Sequence, residues 1–250
     1  MKTILNLFRC LTMTAVAVIS DMSVLTVNAT EWDPFKGFTQ SLQEKFGQKE
    51  KPQQGDDAAD SPETANATFV SVDDPAYEWS QYEEKDGSAM VSKNGWLELV
   101  SKTENHSSAT VTELEVTPDA DLTVTLMLMA KAEEGKYAGM VFDYSSNRNY
   151  KAFLVSKKSF QYVTIDDGEI SVVKQGLAKP GKIISKITFV KQGDKISVSV
   201  NDLDTTILKN VNLSNTNFGA IVTGKCKALI QGIIYSVAEA EDNERLTTPE

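Results

Sequence analysis

The chain has 250 residues, with 25 Lys and Arg against 35 Asp and Glu, one His and two Cys. A formal charge of −10 without a basic cluster repels phosphate backbones, so no nucleic acid is expected as a partner. One His and two Cys are too few for a His/Cys zinc site, an iron–sulfur cluster or a haem attachment site, so neither a metal nor a cofactor is expected.

Lys2 and Arg9 open the chain, an apolar stretch runs from Leu11 to Ile19, and Val27-Asn28-Ala29 supplies a small-x-small site before Thr30. This is the pattern of a secretory signal over residues 1–29. Asp21 breaks the apolar stretch well short of the ~20 residues a membrane span requires, so no transmembrane segment is expected. Cleavage after Ser20 stays open as an alternative. Arg9 next to Cys10 is unsuited to a lipoprotein signal, and export without a lipid anchor follows: periplasmic, cell-surface or extracellular. Removal of Lys2, Arg9 and Asp21 takes the formal charge from −10 to about −11 and leaves one thiol, Cys226, expected as a small buried hydrophobe.

Asp33-Pro34 is a helix-start signal, and Trp32, Phe35, Phe38, Leu42 and Phe46 follow at helical spacing. They predict a short amphipathic helix over 30–47 whose aromatic stripe must bury itself on its own domain, on a partner protein or on a membrane surface. The mixed charges of its polar face disfavour the membrane. An envelope protein docking on residues 32–46 is the expected partner. Residues 48–66, without an aromatic or a branched aliphatic, read as a flexible linker.

From 67 to 240 the pattern is β throughout. Strand-like runs occur at Phe69–Val72, Ala89–Ser92, Trp96–Val100, Thr110–Val116, Leu122–Ala130, Ala138–Tyr144 and Tyr150–Ser156. Seven more follow at Phe160–Ile165, Ile170–Lys174, Ile183–Val190, Lys195–Asn201, Thr205–Leu208, Phe218–Thr223 and Ala228–Val237. Asp86-Gly87, Asn94-Gly95, Asp167-Gly168 and Gly193-Asp194 stand where hairpins should reverse. No strand is followed by a helix of crossover length, so the expected fold is all-β, a two-sheet antiparallel jelly-roll sandwich. An acidic tail, 241–250, closes the chain.

The order of these runs carries a resemblance. Trp79 precedes Gly95-Trp96-Leu97-Glu98-Leu99 and a long apolar strand at 122–130. Then come Gly139-Met140-Val141-Phe142-Asp143-Tyr144, the Asn149–Leu154 run, a hairpin at Asp166–Gly168, the Lys195–Asn201 run, Asn217–Gly224 and the closing Ile230–Val237. Over 67–240 this progression resembles the concanavalin A-like lectin/glucanase sandwich, including laminin-G-like modules of secreted bacterial proteins. The resemblance implies the fold and leaves function open, because lectins, glycosidases and adhesion modules share it.

Enzymes of that fold carry a Glu-x-Asp-x-x-Glu strand. Glu113 and Glu115 occupy its first two acidic positions, but Pro118 stands at the third, so no catalytic residue is assigned. His106 lies in the polar loop 102–108 and reads as a surface residue. Sugar binding requires aromatic faces framed by planar polar groups. The densest such region is Asp143, Tyr144, Asn147, Arg148, Asn149 and Tyr150, with Phe160 and Tyr162 expected to extend the same face. Three functions follow: an exported non-catalytic module binding carbohydrate or a cell-surface component, a structural or adaptor subunit docking through its N-terminal helix, or a glycoside hydrolase-like enzyme.

Overall fold

Short runs rich in Val, Ile, Phe and Thr, punctuated by Asn, Asp and Gly, favour pleated, half-buried backbone. The computed structural model describes residues 67–238. The expected signal sequence, the 30–47 helix, the 48–66 linker and the acidic tail lie outside the described residues. Within them the chain forms β1 (Thr68–Ser71), β2 (Tyr82–Glu83), β3 (Gly87–Val91), β4 (Leu97–Ser101), β5 (Ser107–Glu113), β6 (Leu122–Lys131), β7 (Tyr137–Ser146) and β8 (Asn149–Val155). It continues with β9 (Ser159–Asp166), β10 (Glu169–Leu177), β11 (Ile183–Gln192), β12 (Lys195–Val200), β13 (Leu203–Leu208), β14 (Asn217–Thr223) and β15 (Lys227–Val237). No helix occurs among the described residues, so none there could cross a membrane.

The strands form two antiparallel sheets. The larger runs β13-β12-β11-β6-β15-β4-β3-β2, with β1 paired to the far half of β15. The smaller runs β10-β9-β8-β7-β14-β5. This is the two-sheet sandwich that the resemblance to concanavalin A-like domains implies. Between the sheets lies one continuous apolar core, to which Leu97, Leu126, Ile187, Phe189 and Ile233 contribute from the larger sheet and Met140, Phe142, Phe153 and Phe218 from the smaller. Phe189 of β11 binds the layers together. Its ring meets Phe142 edge-on at 5.1 Å and Phe153 edge-on at 6.0 Å, the geometry that aromatic quadrupoles favour.

All fourteen expected strands are present, and β2 is an addition. The largest slip is in β5, which begins at Ser107 and ends at Glu113 rather than spanning 110–116. Its early residues hide their polarity: Ser108 is buried and donates its hydroxyl to the Val100 carbonyl at 2.7 Å. It ends early because Leu114 N bonds the Thr216 carbonyl and Val116 N turns back to the Leu114 carbonyl. Asp167-Gly168 reverses β9 into β10 with φ of 47° and 84°, the pair of left-handed residues that a tight hairpin requires. Gly87, by contrast, is a strand residue. A Cβ there would meet the Ser108 hydroxyl at 2.1 Å, so glycine serves close approach rather than the turn.

The smaller sheet is apolar on its outer face too. Register aligns Val111, Gly219, Val141, Ala152, Val163 and Val172 in one row across all six strands. Val141, Ala152, Leu154, Val163, Ile165 and Ile221 form a second buried cluster there, with Tyr137, Tyr144 and Tyr150 packed against it. At the edge, β10 is open, and Ile170, Val172, Val173 and Leu177 are exposed.

Replacing Phe189 by Ala removes the ring shared by both sheets and leaves a cavity. A loss of about 3–5 kcal/mol in unfolding free energy is expected, read as a lower urea midpoint.

Candidate functional site

The site begins with an interruption of β7. Ala138, Met140 and Phe142 alternate toward the inner core, and strict alternation would send residue 144 the same way. Asp143 takes φ 51°, and the pairing of β7 with β8 shifts register between Phe142 and Ser146. This bulge, four steps on β7 against two on β8, carries Tyr144 to the outer face. Tyr150, the second residue of β8, sits on the same face. The two rings lie 5.7 Å apart at 32°, both half-buried.

Asp143 itself turns inward. Its Oδ1 accepts hydrogen bonds from Ser214 N at 2.7 Å, Ser214 Oγ at 2.7 Å and Asn215 N at 3.1 Å. Its Oδ2 accepts from Lys151 Nζ at 2.5 Å, and that ammonium also donates to the Asn212 carbonyl. Burial pushes the Asp143 carboxyl upward, but these donors win and hold it below the usual carboxylate range. Asp143, expected from the sequence as a ligand contact, thus has both carboxylate oxygens engaged within the protein. Arg148 and Asn149 are likewise engaged. Arg148 Nη2 donates to the Asp167 carbonyl at 2.8 Å and pairs with its carboxylate at 2.9 Å, while Asn149 Oδ1 accepts from Asp167 N at 2.9 Å. They tie the β7–β8 turn to the β9–β10 turn. Phe160 and Tyr162 do not extend the outer face. Their rings stack on Phe153 and Phe142 in the inner core, and burial lifts the Tyr162 hydroxyl to about 12. Alternation within β9 gives the outer face to Gln161 and Val163 instead.

Tyr144, Asn147 and Tyr150 do converge, on a cleft of about 300 Å³ that Tyr82, Glu84 and His106 also line. Burial raises the hydroxyl pKa of Tyr82, Tyr144 and Tyr150, so all three present neutral phenols at neutral pH. Tyr144 also lines a second cleft of about 960 Å³, whose walls are residues 76–80 and 111–117. The connection from β1 to β2 builds that wall. Ser80 N bonds the Val111 carbonyl at 2.9 Å, Val111 N returns to Ser80 Oγ at 2.9 Å, and Thr110 Oγ1 donates to the Ser80 carbonyl at 2.8 Å. Tyr82 is fixed by its hydroxyl, which accepts from Ala109 N at 3.1 Å. Asn217 Nδ2 donates to the Tyr144 carbonyl at 2.8 Å and fixes that backbone against β14.

Sequence reasoning missed Tyr77, Trp79 and Tyr82 as wall residues, although three aromatics in a polar connection were a signal. Glu113 and Glu115 are both exposed and line the larger cleft. Among the described residues no three His, Cys, Asp or Glu side chains gather as metal ligands. Cys226 is buried, and burial raises its thiol pKa.

Fold and clefts together define a two-sheet β-sandwich with a tyrosine-centred rim at one end of its smaller sheet. No protein-family model and no curated protein matches the chain. Solved structures do. A carbohydrate-binding module, CBM66, from Bacillus subtilis is 13% identical, with a TM-score of 0.49 over 63% of this chain and 94% of its own. A Bacillus licheniformis beta-glucanase is 8% identical, with a TM-score of 0.48 over 70% of this chain and 99% of its own. A Bacillus subtilis protein of unknown function with a galectin-like fold is 10% identical, with a TM-score of 0.47 over 69% and 96%. At these identities neither a ligand nor a reaction transfers to this chain.

Asp143→Asn keeps the shape of the side chain but loses its charge. A loss of about 3 kcal/mol is expected near pH 7, as for a broken buried pair. The folded-state pKa is depressed, so the native carboxylate contributes stability above its unfolded pKa of about 4 and loses it as pH falls through the folded value. Urea titrations at a series of pH values should therefore show the wild-type advantage over Asp143→Asn shrinking in acid.

Proposed function

We propose that this chain is an exported, non-catalytic sandwich module that binds carbohydrate at Tyr144 and Tyr150. One observation carries the reading: two tyrosine rings, 5.7 Å apart, share the outer face at a cleft edged by Asn147, Glu84 and His106. Pyranose rings present C–H faces that stack on aromatic surfaces and hydroxyls that planar polar groups bond. The rim offers both. The middle of the outer face is filled by its own apolar cluster, so a ligand enters at the Tyr144 end. Export rests on the charged, apolar and small-x-small pattern of residues 1–29. Without a third acid at Pro118, Glu113 and Glu115 serve as polar walls.

Tyr144→Ala and Tyr150→Ala are each expected to weaken glycan affinity by about tenfold, ~1.4 kcal/mol, in isothermal titration. Arg148→Ala, which loses an exposed pair and a hydrogen bond to the Asp167 carbonyl away from the rings, should change it little. Equal affinity in all three variants would overturn the assignment.

The aromatic stripe at Trp32, Phe35, Phe38, Leu42 and Phe46 favours a second, separable role, attachment to an envelope protein. Deleting residues 30–66 should release that protein in co-purification and leave glycan retention unchanged. Loss of both activities together would refute the separation.

A further inference from the structure

The charge of the rim restricts which sugar it takes. Among the described residues, every charged side chain lining the larger cleft is a carboxylate: Glu78, Glu113 and Glu115. Glu84 supplies the charge of the smaller cleft beside His106. A third cleft of about 510 Å³, which shares Tyr77, Glu78 and Trp79 with the larger one, adds Asp73 and Asp74. No Lys or Arg lines any of the three among the described residues. Three cations near these segments have partners of their own. Arg148 pairs with Asp167, Lys151 with Asp143, and Lys102 Nζ donates to the Glu84 carbonyl at 2.9 Å. A uronate or sulfated sugar would meet like charge on these walls, with no Lys or Arg among the lining residues. A sugar ammonium would meet carboxylates on the walls and the negative faces of Tyr77 and Tyr144. Thr112, which lines the larger cleft, keeps a buried hydroxyl without a hydrogen-bond partner.

We infer that the glycan bound at the Tyr144 rim carries free amino groups, a glucosamine-type polymer rather than an N-acetylated or acidic one. This rests on the carbohydrate reading above and names the ligand class within it. Amino groups along such a chain engage Glu113 and Glu115 in the larger cleft while one ring stacks on Tyr144.

The test is isothermal titration of the full chain with hexamers of β-1,4-linked glucosamine, N-acetylglucosamine and galacturonic acid, and with oligolysine of matched charge. The glucosamine hexamer should bind at least about tenfold more tightly than its N-acetylated counterpart. Galacturonate should not bind. The preference should diminish as salt is raised from about 20 mM to about 300 mM, because exposed charges are screened. The double variant Glu113→Gln, Glu115→Gln should erase the preference while leaving weak N-acetylglucosamine binding in place. Equal affinity for the glucosamine and N-acetylglucosamine hexamers, with Tyr144→Ala still weakening both, overturns the amino-sugar assignment and leaves carbohydrate binding standing. Oligolysine binding as tightly as glucosamine, insensitive to Tyr144→Ala, overturns it as mere charge attraction. Failure of every sugar to bind overturns both readings together.

Discussion

The bulge at Asp143 is the constraint on which the candidate site depends. A strand alternates its side chains, and extra residues in one strand of a pair invert faces within the bulge. Here the inversion takes Tyr144 out of the core, where Phe142 already stacks with Phe218, and sets it beside Tyr150. An aspartate can hold the left-handed backbone because its short side chain bonds locally at small cost. This one reaches further, to Ser214 and Asn215 in the connection between β13 and β14, and to Lys151 across the pair. The carboxylate thus joins the strand that bears the aromatic rim to the loop that precedes β14.

The smaller sheet is unusual in burying apolar residues on both faces. Antiparallel sheets commonly turn one face to water. Continuous runs such as Met140-Val141-Phe142, Ala152-Phe153-Leu154-Val155 and Ala220-Ile221-Val222 serve the inner core and the outer cluster at once. Small residues at Gly139, Gly219 and Ala152 keep that outer surface low. A Cβ at Gly139 or Gly219 would meet a neighbouring strand carbonyl at 2.0 Å or 1.9 Å, so side chains are excluded there by the backbone itself. With the centre filled, polarity and access move to the rim. There the β1–β2 connection crosses the edge of β5 and brings Tyr77, Trp79 and Tyr82 against it. Trp79 joins the inner core while its Nε1 donates to the Ser71 carbonyl, so the wall is anchored by burial as well as by hydrogen bonds.

Much of the fold was legible because its signals are local. Alternation marked β4 and β12, Asp167-Gly168 marked a hairpin, and Phe218–Thr223 was placed to within one residue. The turn at Asn201-Asp202 was not marked, since neither residue is glycine. Both take positive φ, and the Asn201 side chain holds the turn by accepting from Ser185 N and donating to the Pro180 and Ile183 carbonyls. β2 was too short, and too polar at Glu83, to show a period. Of the six residues expected to meet a ligand, Tyr144, Asn147 and Tyr150 line the cleft. Asp143, Arg148 and Asn149 bond to other loops and turns of the chain, and composition cannot separate that use from ligand contact.

The sequence by itself therefore determined the strands, most of their turns, the paucity of metal-binding side chains and the aromatic character of the 143–150 region, because propensity and period act over a few residues. Only the tertiary structure decided which way Tyr144 faces, that Phe160 and Tyr162 are core rather than surface, and that acidic residues from 73 to 115 meet at one rim. The reason is one of range. A bulge is stabilised by a partner 71 residues further along the chain, and a cleft is made by segments that touch only after the two sheets have closed.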